Sequence, residues 1–206
     1  LIRPSIYLLV DPGFFNEIDE QRIIKIRDNL IESLVKKTTW KLDLLVPDKF
    51  QSSNFIERLN VNHKIKIHTF IDKPIVHGSY GLNCFLSRFN LANPHYQNVL
   101  ICAIFISIKM GAKQIMIYGA DHSWHEEMIL DSNNDIYIED AHFYDVNKKP
   151  FKQNDTNGKL IRIHHKFDVF SRVFRSYHLL NRIAEKEGVK IINKSSKTWI
   201  DAFPRK

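Results

Sequence analysis

The stretch that most restricts what this chain can fold into is Asn98 to His125, NVLICAIFISIKMGAKQIMIYGADHSWH. Its first half is apolar nearly all round, so a helix here has to be central, with other elements against it. Gly111 ends that helix as a C′ glycine does, and Gln114–Tyr118 follows as a buried strand. A central helix feeding a buried strand belongs in a layered α/β structure. In open α/β sheets ligands gather outside the carboxyl ends of the strands, so Gly119, Asp121 and His122 are the best-placed residues for chemistry.

The rest of the chain keeps the same alternation. Ser5–Val10 is a continuous apolar strand closed by Asp11-Pro12-Gly13. Asp19–Lys37 follows as an amphipathic helix with Ile23, Ile26, Leu30 and Leu34 on one stripe. Lys41–Val46 is a strand stopped by Pro47, Ser53–Leu59 a short helix, and Lys64–Phe70 a strand with one wet face. Gly78 and Gly81 predict a turn before a helix over Leu82–Phe89, and Pro94 precedes a helix over His95–Met110. Met128–Glu139 reads as a hairpin turning at Ser132-Asn133-Asn134. His142–Gly158 is polar and long, a candidate lid at about 140–160. Phe167–Glu187 is a long helix with Val169, Val173, Tyr177, Leu180 and Ala184 in step, ended at Gly188 before strand Val189–Ile192, and Thr198–Phe203 closes as one last turn. With no repeat and no linker, the expectation is one domain over 1–206, an α/β three-layer Rossmann-like sandwich around a mainly parallel sheet. Because the chain enters directly on a core strand, an amino-terminal strand and its loop are expected upstream.

Composition narrows the function classes. With 44% hydrophobic residues, 206 residues suffice for a real core and exclude disorder. No apolar run reaches the roughly 20 residues of a membrane span, since Val99–Ile108 gives way to Lys109 and Gly111. Cys84 and Cys102 match no zinc or redox spacing, which predicts buried thiols and a cytoplasmic location without a disulfide. The net charge of +7 is scattered through every segment, with no RNA-binding aromatic motif, helix-turn-helix pattern or basic arm, so nucleic acid is not the expected partner. Such a diffuse positive field suits anionic sugar nucleotides or the inner leaflet of a membrane. A P-loop, a GxGxxG fingerprint and a GxSxG elbow are all missing from the sequence, which argues against the usual kinases, dehydrogenases and hydrolases.

Several residues are candidates for a site. Asp121-His122-Ser123-Trp124-His125-Glu126 places two imidazoles and two carboxylates in six positions, but histidines at i and i+3 in a loop do not match the i, i+4 spacing of a helical zinc site, and no metal is expected. A capped turn with solvated histidines is the plain alternative. Asp121 at a strand end is suited to ligand hydroxyls or backbone N–H groups. Asp11 follows its own strand in the same way, with an Asx-Pro-Gly turn as the competing account. Asn98, in the first turn of the central helix, can cap it, and the N–H groups there welcome a phosphate. His165, beside His164 ahead of the long helix, is positioned to take a proton from an attacking hydroxyl, and Tyr144 in the lid to donate one to a leaving phosphate.

Four blocks, YLLVDPGFF, NVLICAIFISIKMGAKQIMIYGADHSW, HFYD and GVKIINKSSKTWIDAFPR, together resemble the MptE-like (hydroxymethylpterin diphosphokinase-like) bacterial polysaccharide-biosynthesis proteins. Their order is also similar to that of the CMP-sialic acid dependent sialyltransferases of bacterial lipooligosaccharide synthesis. That second resemblance implies a metal-independent, inverting transfer from a CMP-sugar on a Rossmann-like, GT-A variant fold. Asp11 falls where those enzymes carry a nucleotide-binding asparagine, and Asn98 where they have a small polar residue at a helix start. Gly119 and Asp121 match their Gly-x-Asp, and His165 is the nearest match to their catalytic histidine. The chain departs from the pattern in having Ser123 where they have a tyrosine, and in lacking their amino-terminal glycine-asparagine loop. The function expected from the resemblance is a glycosyltransferase of surface polysaccharide or lipopolysaccharide assembly. It would take a nucleotide-sugar donor and a glycan or glycolipid acceptor, without a cofactor, in the cytoplasm or at the inner membrane face. The alternatives are a diphosphokinase acting on a pterin-like alcohol, with ATP and magnesium held by Asp121 and other carboxylates, and a scaffold that binds no nucleotide.

Overall fold

The computed structural model describes residues 2–16, 21–75, 79–138, 151–152 and 160–205. The chain divides into two compact units, Leu1–His77 with Phe89–Asn93, and Gly78–Arg88 with Pro94–Lys206. Both are mixed α/β; the first has a parallel three-stranded sheet, and the second a parallel strand pair and an antiparallel three-stranded sheet.

In the first unit β1 (Ile6–Leu8), α1 (Gln21–Lys37), β2 (Leu42–Pro47), α2 (Asn54–Leu59) and β3 (Ile65–Phe70) follow in the expected order, and the sheet runs β1-β2-β3. Strand alternation decides which face is dry. Leu42, Leu44 and Val46 of β2 are buried against Ile31 of α1 and Phe55, Ile56 and Leu59 of α2. Asp43 and His68 lie on the other face, paired at 2.7 Å, so both helices cover one face of this sheet. Phe15 stacks on Phe50 with ring centroids 4.4 Å apart. The last carbonyls of α1 lack helical partners, and the Asn62 amide donates to Val35 and Thr38 carbonyls at 2.9 and 3.0 Å. The short strands β4 (Pro74–Ile75) and β5 (Asn93–Pro94) come later in the chain.

The second unit begins with α3 (Tyr80–Arg88) and α4 (Val99–Lys109), then β6 (Gln114–Ile117). The central helix starts four residues later than the apolar pattern predicts. Asn98, extended at φ −156°, is its cap and accepts the Ile101 N–H at 3.1 Å, which fixes the start. Gly111 and Gly188 take φ of +82° and +68°, the left-handed conformation that favours glycine just past a helix. The hairpin of β7 (Met128–Leu130) and β8 (Ile136–Ile138) forms as expected, with Asn134 at φ +60° and Asp131 accepting the Asn133 and Asp135 N–H groups. β9 (Phe151–Lys152) pairs antiparallel with β8, so a strand lies within the stretch read as a lid. The remainder of that stretch, Tyr144 included, lies outside the described residues.

The long helix α5 (Ile163–Lys186) starts four residues before Phe167. Its first turn carries His164 and His165 into solvent, outside the apolar stripe that marks the buried part. β10 (Lys190–Asn193) then pairs in parallel with β6, Ile191 opposite Ile115. Ile101, Ile104, Phe105 and Ile108 of α4 and Val173, Tyr177, Leu180 and Ile183 of α5 close over Ile117 and Ile191. Thr198–Phe203 forms bends and no helical turn. Both cysteines are buried free thiols, and among the described residues no helix is long and apolar enough to cross a membrane.

Candidate functional site

The carboxyl ends of β6 and β10 are tied together by a buried polar network. Asn193, 1% exposed, ends β10, accepts the Ser195 N–H at 3.0 Å and donates to Thr198 Oγ1 at 3.1 Å. Ser195 Oγ accepts the Ala120 N–H at 2.9 Å, and Thr198 Oγ1 donates to the Ala120 carbonyl at 2.6 Å. The Trp199 N–H donates to the Asp121 carbonyl at 2.8 Å. Both backbone groups of Ala120 are thereby satisfied from the other loop. Buried polar groups otherwise cost about 1–3 kcal/mol each, so the turn from 118 to 123 is fixed in place.

Within that turn Gly119 has φ +67°, and a side chain added there would meet nothing within 4 Å. Glycine is required for its backbone conformation and not for space. Two residues on, the Asp121 carboxylate is exposed, with Oδ1 accepting the His122 N–H at 2.8 Å and Oδ2 the Ser123 hydroxyl at 3.0 Å. Partial burial pushes this carboxyl up, but the Ser123 hydroxyl and the local N–H groups together hold it below its ordinary value. Asp121 is therefore a fixed anion with a free lone pair on each oxygen, able to accept from ligand hydroxyls.

His122 departs from the solvated histidine of the plain reading. It is 7% exposed and takes a left-handed φ of +57°, uncommon for a side chain with a Cβ. Its ring sits 4.3 Å from the Trp124 ring, and Nε2 meets Tyr177 Oη at 2.5 Å. Tyr177, fully buried, donates to Asn98 Oδ1 at 3.2 Å, the oxygen that also caps α4. Burial pushes the His122 imidazole down to about 4, against the pull of the Asp121 carboxylate, and pushes the Tyr177 phenol well up. Both are neutral near pH 7. With the phenol proton on Asn98, the Tyr177 oxygen accepts from His122 Nε2–H, so one tautomer satisfies the chain of donors. This trio is a fixed dipole array beneath the Asp121 turn.

The structure brings Asn98, Gly119, Asp121 and Ser123 to one end of the second unit through this trio. It places His165 elsewhere on α5. His165 and Tyr177 are separated by twelve helical positions, about 18 Å along the axis at 1.5 Å per residue. His165 is exposed, its ring tilted by 42° against that of His164 with centroids 3.9 Å apart. Asp11 belongs to the first unit, where Oδ1 accepts the Gly13 N–H at 2.8 Å and caps a short 3-10 turn over Pro12–Phe14. That bond is the one the Asx-Pro-Gly account predicts. Further along the rim of the second unit, Glu126 holds Lys197 Nζ at 2.8 Å and the Trp199 indole at 3.0 Å.

Sequence reasoning took Tyr177 as one more member of an apolar stripe. The available signal was chemical: a tyrosine in the middle of a buried stripe needs a partner for its hydroxyl. The Asn193, Ser195 and Thr198 network left a weaker mark, a polar NKSSKT run directly after a core strand. No known protein-family model, curated protein or solved structure matches the chain.

Proposed function

We propose that the chain is a glycosyltransferase-like enzyme of surface polysaccharide or lipopolysaccharide biosynthesis, moving a sugar with inversion from a nucleotide-sugar donor to a glycan or glycolipid acceptor. The observation that carries this reading is the ionised, exposed Asp121 carboxylate at the end of a parallel strand, held by a Gly-x-Asp turn over His122, Tyr177 and Asn98. A rigid carboxylate there suits hydroxyls of a donor ribose or sugar, and rigidity is what orientation of a reacting sugar demands. Ser123 keeps that carboxylate in one rotamer. The amino end of α4 behind Asn98 favours the negative charge of the nucleotide phosphate.

In the proposed mechanism His165 accepts the proton of the acceptor hydroxyl as its oxygen attacks the anomeric carbon, and the bond to the nucleotide phosphate breaks on the opposite face. His165 stands about 18 Å along α5 from Tyr177, so this role requires the donor to extend from the Asp121 turn to the first turn of α5, with the acceptor hydroxyl between His165 and the anomeric carbon. Tyr144 is proposed as the donor to the departing phosphate. The fold proposed with this activity is the three-layer Rossmann-like, GT-A variant-like sandwich, a reading supported by the parallel β1-β2-β3 and β6-β10 pairings. The protein works in the cytoplasm, at the membrane face where glycolipid acceptors reside.

Thermal denaturation with CMP, UDP, GDP and ATP, each with and without EDTA, tests the reading. A ligand at 100 times its Kd stabilises by about 2.7 kcal/mol. CMP or another sugar-nucleotide product should raise Tm whether or not EDTA is present, and Asp121→Ala should abolish that rise with the fold intact. A rise confined to magnesium-ATP would make the protein a diphosphokinase, and no rise with any nucleotide would make it a scaffold. In the transferase assay His165→Ala should lower kcat far more than nucleotide affinity.

A further inference from the structure

Trp199 is an exposed aromatic ring whose two N–H groups are both spent inside the second unit. Its backbone N–H donates to the Asp121 carbonyl at 2.8 Å. Its indole N–H donates to Glu126 Oε1 at 3.0 Å, and the His125 ring meets the indole at 86° with centroids 4.3 Å apart. The following residue, Ile200, is buried, while Trp199 stays 47% exposed. Tryptophan at a surface joins a large apolar ring to one polar tip. Here the tip is used, so the exposed part offers a ligand ring surface and no donor, and the bonds on its edge hold that surface in one position.

One short loop carries both this ring and the Asp121 carboxylate. Ser123, whose hydroxyl donates to Asp121 Oδ2, caps the 3-10 turn Trp124–Glu127, and His125 and Glu126, which hold the indole, lie within that turn. The Glu126 N–H closes the turn on the Ser123 carbonyl at 2.8 Å. Three residues of such a turn span about 6 Å at 2.0 Å per residue. A ribose whose diol bonds the Asp121 carboxylate carries its base one sugar ring further on, a separation of that order. Charge points to the same end of the nucleotide. Lys197 Nζ lies 2.8 Å from both Glu126 oxygens, so it is committed to that carboxylate and offers a phosphate no free charge, which suits the position to the uncharged base.

We propose that Trp199 is the platform on which the base of the donor nucleotide stacks, with Asp121 accepting from the ribose beside it. This rests on the nucleotide-sugar reading above and names the part of the donor that the Asp121 turn takes. The experiment is calorimetric titration of CMP, and of ribose 5-phosphate, which lacks the base, into the wild type, Trp199→Leu and Trp199→Phe. Trp199→Leu should weaken CMP about tenfold or more, to about the affinity that ribose 5-phosphate has for the wild type. Trp199→Phe should restore most of the loss. Leucine and phenylalanine both fill an apolar position, so a merely structural role would not tell them apart. CMP should also quench the tryptophan emission of the wild type, and Trp199→Phe should lose most of that quench while still binding. Wild-type affinity in Trp199→Leu, equal affinities in the leucine and phenylalanine variants, or ribose 5-phosphate binding the wild type as tightly as CMP overturns the proposal. A Trp199-dependent response to a methyl hexoside, with CMP unaffected, does so too and assigns the ring to a sugar. CMP binding that is the same in all three proteins removes the platform and leaves the transferase reading standing. Trp199-dependent CMP binding without transfer from any nucleotide sugar removes the transferase reading and leaves the platform. Failure of every nucleotide to bind removes both.

Discussion

The strand ends of the two units handle their polar groups in opposite ways. In the first unit Asp11 accepts from Gly13, two residues away, and Asp48 from Lys49, its immediate neighbour, with one long bond of 3.4 Å from the Asp72 N–H across 24 positions. In the second, His122 meets Tyr177 across 55 positions, Tyr177 meets Asn98 across 79, and Ala120 meets Ser195 across 75. A local cap forms with its own turn and orders little else. A buried long-range network exists only once three elements have met, and every member depends on the others for its partner. The second arrangement holds a side chain at the surface to a fixed position, as ligand recognition requires, and the first holds only a turn.

The sharpest way to break the contrast is to remove one hydroxyl from the network. Tyr177→Phe keeps the ring that packs against Phe203 at 5.9 Å but takes the Tyr177 hydroxyl from His122 Nε2, while Asn98 Oδ1 still accepts the Ile101 N–H. The loss should be about 2–3 kcal/mol, since a buried group stranded by deletion of its partner carries the desolvation cost in full. Urea denaturation gives the number directly. A loss under about 0.5 kcal/mol would show that the trio contributes no more than a surface turn.

Proton uptake sharpens the same comparison. His122 titrates at its ordinary 6.5 in the unfolded chain and at about 4 in the folded one. Between those values the unfolded state binds the proton and the native state does not. The contribution is therefore fully present above pH 6.5 and is lost as pH falls towards 4, by about 3 kcal/mol. Asp121, held below its ordinary carboxyl value, adds its own loss only at lower pH still. His122→Asn tolerates the left-handed backbone and carries no titrating group. Its stability between pH 7 and about pH 4.5 should be flatter than wild type, and an identical slope would assign the acid sensitivity to other groups.

The same division governs how much was legible in the sequence. The run Lys41–Val46 stopped by Pro47, the apolar stripes of α1 and α5, and the glycines at 111 and 188 each announce a local conformation, and the structure has strands, helices and helix ends there. Ser132-Asn133-Asn134 announces a turn, and a turn forms. Asp11-Pro12-Gly13 offered both a site and an Asx turn, and the turn is on view because its bond closes over two residues. Boundaries slipped where side chains decide them, as Asn98 does by capping α4. The Asp121 turn was legible as a position at a strand end, but its support was not. Nothing local in Asp121-His122-Ser123 says that the histidine goes inward, because its partners lie on α5 and before α4.

The smallest expected effect completes the comparison. Asp11→Ala removes one exposed cap bond of 2.8 Å to Gly13 and leaves the turn its backbone hydrogen bonds, Phe14 N–H to the Asp11 carbonyl and Phe15 N–H to the Pro12 carbonyl. Loss of a side-chain cap costs about 1 kcal/mol; here exposure to water replaces part of the bond, so the change should fall below that, around 0.5 kcal/mol. Its Tm should stay within a few degrees of wild type, roughly the shift that 1 kcal/mol produces in a domain this size. If Asp11 serves only its turn, nucleotide affinity should not change beyond that small loss. A fall in affinity as large as that of Asp121→Ala, at unchanged Tm, would show that a locally bonded carboxylate can recognise ligand as well as one held by a long-range network.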